Sequence, residues 1–195
     1  MLAVLISVVP FPSKAEIDVI DLGSGTGNLS WMMREKFPNA RITCLDLSEK
    51  MLETSRNKLG ENKITYVLKD FSRYEFDAKY DVVISSLALH HLKVKDRQQF
   101  FAKIYAALRN GGAFLNADIV LASNTPWQKL YLKKWKTFLN RSFSAGEIRE
   151  VNKRYRNEDR PVVLLEDLKR LKESNFRKSD ILWKYYNFAV YGTMK

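Results

Sequence analysis

The stretch Val19-Ile20-Asp21-Leu22-Gly23-Ser24-Gly25-Thr26-Gly27-Asn28 decides the fold. An apolar strand runs through Asp21, and glycines at alternate positions then turn the chain into a helix. Three missing side chains let a ligand lie against bare backbone and face the free N–H groups of the helix N-terminus. The pattern therefore reads as a nucleotide-type cradle placed between a strand and a helix.

The details separate it from a dinucleotide site, which wants GxGxxG and an acid about 20 positions on. Here the spacing is GxGxG, position 28 is Asn, and Asp21 stands two residues before the first glycine. A carboxylate at the end of that strand suits a cationic ligand better than a pyrophosphate.

Working outward, apolar strands are predicted near residues 18–22, 42–46, 64–68, 81–85 and 113–118, with helical patterns between them. Such β-α alternation implies a doubly wound, Rossmann-like α/β sheet that is mostly parallel. Ser48 is placed to cap a helix that Gly60 closes, and Gly111-Gly112 is expected to turn into the fifth strand. Open parallel sheets bind ligands at the carboxyl ends of their strands. Asp21, Asp46, Asp70, Ser85, Ser86 and Asp118 all fall there. Taken singly, each acid has an equally good reading as a helix cap or turn former.

Residues 121–160 break the alternation. Trp127, Leu130, Tyr131, Trp135, Phe138 and Leu139 share one helical face, and Ser144-x-x-Glu147 reads as a capping box opening a second inserted helix. The pair is expected to form a helical lid over a substrate pocket, although such an aromatic stripe is more often core. After a helix from about Leu164 to Lys172, the segments 181–186 and 187–194 form a closing hairpin, so the final strand runs antiparallel.

Composition bounds the alternatives. With 195 residues and 46% hydrophobic content, the chain suits a single domain spanning 1–195. One cysteine and two histidines exclude a disulfide and a Cys/His metal cage, so no metal is expected. The apolar run from Leu2 to Val9 is too short to cross a bilayer and reads as a buried helix or strand end, which gives a cytoplasmic expectation. The net charge of +11 is uneven: residues 1–120 carry 16 basic against 14 acidic side chains, and residues 121–195 carry 17 against 8. That asymmetry fits either an acidic partner or a plain solvated surface.

From about Ile17 onward the chain resembles the class I S-adenosylmethionine (SAM)-dependent methyltransferases. The resemblance implies SAM as cofactor. It places Asp21, Gly23 and Gly25 around the methionine part, Asp46 at the ribose, Met51, Asp70 and Phe71 at the adenine, Ser86 and Leu87 as backbone beside the methionine, and Ser24, Gly27 and Leu47 among the other cofactor-binding residues. Ser85-Ser-Leu-Ala-Leu-His90-His91-Leu92 is similar to the fourth-strand motif of small-molecule methyltransferases, making His90 or His91 a candidate base. Adjacent helical positions diverge by about 100°, so only one is expected to face a substrate.

The implied reaction is transfer of the sulfonium methyl group to a small or medium-sized acceptor. Three alternatives stand beside it. Trp135-Lys, Ser144-x-x-Glu147 and Trp183-Lys-Tyr-Tyr-Asn187-Phe188 are similar to the tail of bacterial enzymes that make carboxy-SAM for tRNA wobble-uridine modification. A catalytically inactive SAM- or nucleotide-binding protein is the second. Third, the basic C-terminal part keeps nucleic acid open as a substrate, ranked lower because Ser-Ser-Leu-Ala replaces an NPPY-type motif. A homodimer is compatible with this reading. Related enzymes carry a helix that folds over the cofactor before the first strand, which predicts a truncated cap here.

Overall fold

The computed structural model describes residues 1–195, with the side chains of Arg154 and Arg156 set aside. Its spine is a seven-stranded sheet in the order β3-β2-β1-β4-β5-β7-β6. The strands are β1 (Asp18–Leu22), β2 (Arg41–Asp46), β3 (Ile64–Leu68), β4 (Tyr80–Ser86), β5 (Leu108–Ile119), β6 (Lys178–Tyr185) and β7 (Phe188–Met194). The first five run parallel, and β7 is antiparallel to both of its neighbours. The Rossmann-like expectation holds. Strand order reverses between β1 and β4, where this architecture opens its ligand crevice.

Central parallel strands are covered on both faces, so they read as unbroken apolar runs. Val19, Ile20 and Leu22 of β1 and Val82, Val83 and Ile84 of β4 are fully buried. Helices α1 (Leu2–Ser7), α2 (Asn28–Lys36) and α3 (Glu49–Leu59) cover one face with Leu5, Leu29, Met33 and Leu52. Helices α4 (Arg97–Ala107) and α7 (Leu164–Glu173) cover the other with Phe100, Phe101, Ile104 and Leu171. Each such side chain contributes about 1.5–3 kcal/mol on burial. The apolar opening is thus helix α1, packed on α2; Lys36 Nζ donates to its last carbonyls, Ile6 at 2.8 Å and Ser7 at 3.2 Å.

Local signals are realised as the chemistry requires. The Ser48 hydroxyl accepts from Met51 N–H at 3.4 Å, and Gly60 closes α3 at φ +66°. Ser144 and Glu147 form the capping box of α6 (Ala145–Asn157), with Ser144 N–H donating to Glu147 Oε2 at 2.8 Å and Glu147 N–H to Ser144 Oγ at 3.4 Å. The hairpin turns at Tyr186-Asn187, where Tyr186 takes φ +49°.

Two placements differ from expectation. Gly111-Gly112 do not make a free turn. Tyr80 pairs with Leu108 but Val82 with Ala113, so residues 109–112 bulge within β5, and Gly111 N–H reaches Lys195 O at 3.2 Å while Lys195 N–H reaches Gly112 O at 2.9 Å. Pairing with the chain's last residue absorbs the glycines. The aromatic face of α5 (Thr125–Ser142) rests on the hairpin, with Trp135 against Phe188 at 5.6 Å and Tyr131 against Tyr186 at 5.7 Å between ring centroids.

Candidate functional site

The three loop glycines adopt φ of +69°, +54° and +76°, but they do different work. A Cβ on Gly23 would lie 2.5 Å from the Ala88 Cβ, and one on Gly27 only 2.3 Å from Ser55 Oγ. These two glycines let the loop pack against the segment after β4 and against α3. A Cβ on Gly25 would meet nothing within 4 Å. Gly25 is therefore bare backbone turned toward open space.

That space is a cleft of about 530 Å³ at the carboxyl ends of β1, β2 and β4. Of the residues singled out from sequence, Asp21, Gly23, Ser24, Gly25, Asp46, Leu47, Met51, Phe71, Ser86, Leu87 and His91 line it. Gly27 does not, being spent on packing. Asp70 does not either: with Phe71 and His91 it lines an adjoining cavity of about 450 Å³, and its Oδ1 accepts Ser72 N–H at 2.9 Å as a turn cap. Leu87 carries φ +51° on a non-glycine residue at the cleft wall, a local strain of the kind found at functional sites. Within the 121–160 insertion, Glu158 alone among the described residues lines the cleft. The aromatic stripe of α5 lines a separate groove of about 810 Å³ against the hairpin.

Electrostatics distinguish the two cleft carboxylates. Asp21 is 1% exposed; Ser30 Oγ donates to its Oδ2 at 2.6 Å, while Oδ1 has no partner. Burial pushes its pKa up from 3.8 to about 7; the Ser30 hydroxyl opposes this and the Asp46 charge adds to it. The Ser24 hydroxyl is another buried group without a partner. Asp46 is better solvated: its Oδ2 accepts Gly25 N–H at 2.8 Å and its Oδ1 accepts Ser48 N–H at 2.9 Å. One carboxylate thus ties the glycine loop to the end of β2.

The histidines do not diverge as expected. They sit in a single 3-10 turn, Leu89–His91, and their ring centroids are 4.1 Å apart. Both rings swing onto one carboxylate: His90 Nε2 lies 3.5 Å and His91 Nδ1 3.8 Å from Asp159 Oδ1. His90 is buried, and its Nδ1 is 2.6 Å from Asp118 Oδ1. Burial works against a charge on His90. The Asp118 hydrogen bond and the Asp118 and Asp159 charges outweigh it, so the pKa lies above the ordinary histidine value. Buried Arg97 fixes the turn from below, donating to Leu89 O at 2.6 Å and pairing with Asp167.

A family model described as a methyltransferase domain matches residues 19–112, covering the glycine loop through the histidine turn. Over that stretch the chain is similar to a methyltransferase domain. The chain is 24% identical over 180 residues to a carboxy-S-adenosyl-L-methionine synthase of Nautilia profundicola, spanning 91% of the chain and 76% of that protein. It is 32% identical over 101 residues to a malonyl-[acyl-carrier protein] O-methyltransferase of Ilyobacter polytropus, but that match spans 51% of the chain and 37% of the relative. Among solved structures, a Haemonchus contortus phosphoethanolamine N-methyltransferase in complex with SAM superposes on the whole chain at TM-score 0.72 and 19% identity, using 51% of its own length. That likeness shows the fold.

The residues of the cleft fit SAM as a cofactor. The orphaned Asp21 Oδ1 is an acceptor awaiting a donor, the Ser24 hydroxyl awaits a partner, and Gly25 leaves room at the loop. Sequence reasoning placed Asp118 at a strand end without seeing its histidine partner, and it missed Glu158 and Asp159 altogether. Those two follow α6 in a segment with no periodic signal; only the fold brings them back over the His90-His91 turn, where Arg160 N–H donates to His90 O at 2.6 Å.

Proposed function

We propose that this chain transfers the methyl group of SAM to a small or medium-sized acceptor by in-line displacement. The observation that carries the reading is the Asp21 carboxylate, buried in the cleft wall with one oxygen unpartnered. A buried polar atom without a partner costs about 1–3 kcal/mol, a penalty that a bound ammonium removes. Asp21 then holds the methionine amino group, with Ser24, Gly25 and the backbone of Ser86 and Leu87 around the rest of that moiety. Asp46 accepts from the ribose hydroxyls, and Met51, Leu47 and Phe71 wall the adenine, with Asp70 reaching its edge from the adjoining cavity. When bound, SAM supplies an electrophilic methyl on a sulfonium.

Among the residues proposed for the acceptor side, His91 faces the cleft and His90 stands behind it, oriented by Asp118. An imidazole nitrogen at the cleft is the kind of group that serves as a general base. Positioning supplies the rest of the rate, since displacement at a sulfonium needs reacting atoms held in line.

The test is a SAM-dependent thermal shift followed by product analysis. Purified protein should be stabilised by SAM, and Asp46→Ala should abolish the shift. No shift refutes cofactor binding. A shift without methyl transfer to any acceptor marks a binding protein, and mass spectrometric detection of carboxylated SAM marks the chemistry named for the Nautilia profundicola relative.

A further inference from the structure

Among the described residues, one group of three side chains can close around a metal ion: His90, His91 and Asp159, whose donor atoms all lie within 4.8 Å of one another. We propose that this trio binds one first-row divalent transition metal ion at the rim of the cleft. The scarcity of cysteine and histidine that removes a Cys/His cage does not touch this set, because two imidazoles and one carboxylate suffice.

The spacing is close to what coordination needs. Ligand atoms about 2.0–2.2 Å from a tetrahedral metal stand about 3.4 Å from each other. Asp159 Oδ1 is 3.5 Å from His90 Nε2 and 3.8 Å from His91 Nδ1. All three donors lie within 4.8 Å of one another, so closure asks the half-exposed His91 side chain to move by up to about 1.5 Å.

The outer shell is already built. A metal-bound histidine presents its other ring nitrogen to a carboxylate, which fixes the tautomer and the ring plane. His90 does this with Asp118 at 2.6 Å. Asp118 is itself held, its Oδ2 accepting His90 N–H at 3.0 Å and its Oδ1 accepting Ile119 N–H at 2.8 Å. With Nδ1 donating to Asp118, the Nε2 lone pair of neutral His90 points at the Asp159 carboxylate. Nε2 and the Asp159 carboxylate thus stand as two donor atoms that one cation can share.

Two imidazoles and a carboxylate select zinc, cobalt, nickel or ferrous iron over magnesium or calcium. Three protein ligands leave a coordination position open. In the ligand-free arrangement His91 Nδ1 lies 3.3 Å from Glu158 O, a contact that metal binding replaces. His91 borders both the cleft and the cavity beside it, so the open position faces the acceptor. An acceptor bearing an oxygen ligand, such as an alcohol or carboxylate, is the class this favours; that last step rests on the methyl-transfer reading, while metal binding does not.

Chelator-treated full-length protein titrated with Co(II) should develop visible d–d absorption saturating at one equivalent, and calorimetry with zinc should give the same stoichiometry. His91→Ala and Asp159→Ala should each weaken binding at least a hundredfold, and Asp118→Asn tenfold to a hundredfold. Far-UV circular dichroism and the SAM-dependent thermal shift, read on the same samples, report folding and the cofactor site separately. A featureless cobalt spectrum in protein that still responds to SAM overturns the metal site alone. One-equivalent binding that persists in a folded His91→Ala, Asp159→Ala double variant overturns it as well.

Discussion

If the Asp21 carboxylate is the counter-ion of the ligand's ammonium, SAM affinity must follow its ionisation. The group's pKa in the ligand-free protein is pushed up to about 7 by burial. The carboxylate is then about half ionised at pH 7 and about 1% ionised at pH 5, whereas an α-amino group stays protonated throughout. Affinity should therefore fall about fiftyfold, or about 2.3 kcal/mol, between pH 7 and pH 5. Calorimetric titration of SAM at half-unit pH steps, in buffers of differing ionisation enthalpy, measures both the slope and the accompanying proton release. Stability runs the opposite way. A carboxyl whose folded pKa is raised above 3.8 supports the fold fully below pH 3.8 and loses that support as pH rises to about 7, roughly 4 kcal/mol in all. Asp21→Asn should thus raise the melting temperature of ligand-free protein at pH 8 while removing the pH slope of binding. Wild-type affinity that stays flat from pH 5 to pH 7, or an Asn variant that binds SAM as tightly as wild type, refutes the assignment.

Other predictions concern the loop and the buried support of the histidine turn. Gly27→Ala should cost about 2–4 kcal/mol in chemical denaturation, combining left-handed strain with overpacking against Ser55. Gly25→Ala should cost only about 1–2 kcal/mol, since its Cβ meets open space, yet should abolish the SAM-dependent thermal shift. Equal losses of stability in the two variants would show that the loop glycines are interchangeable. Asp167→Ala strands the 2%-exposed Arg97 guanidinium and should cost about 3–5 kcal/mol. Because Arg97 also holds Leu89 O, hydrogen exchange at His90 and His91 should accelerate in that variant; unchanged exchange there would separate the network from the turn.

Much of the fold was legible because its centre is extreme. Strands buried on both faces leave apolar runs such as Val82-Val83-Ile84, ended abruptly by polar residues at the cleft. What failed was partnership across long separations. Helical periodicity showed that Tyr131 and Trp135 share a face, but amphipathicity says nothing about what the face covers; the hairpin took it. A helical step of 100° separated His90 from His91, yet in a single turn the side-chain torsions bring both rings to Asp159. The link between Asp118 and His90 spans 28 residues and leaves no periodic trace. Asp70 also accepts the Ser72 amide and lines the adjoining cavity, a local bond that spacing does not reveal.

The distribution of ion pairs carries the argument for a cationic ligand further than the loop alone. At the amino ends of the strands, Asp18 of β1 is paired with Arg41 at 2.6 Å and with Arg109 at 2.8 Å, and Asp81 of β4 with Arg109 at 2.6 Å. At the carboxyl ends, Asp21 and Asp46 have no ion-pair partner among the described residues, in a chain with 33 basic and 22 acidic side chains. Cations are abundant, and the same two-arginine solution lies within the same sheet. Neutralising Asp21 with an arginine would lower its pKa and relieve the burial penalty. It would also fill the cleft and repel an ammonium or a sulfonium. On the proposed reading, the unpaired and buried Asp21 carboxylate costs stability in the free protein that a bound cation restores, and this missing counter-ion, more than the glycines, selects a positively charged ligand over a pyrophosphate.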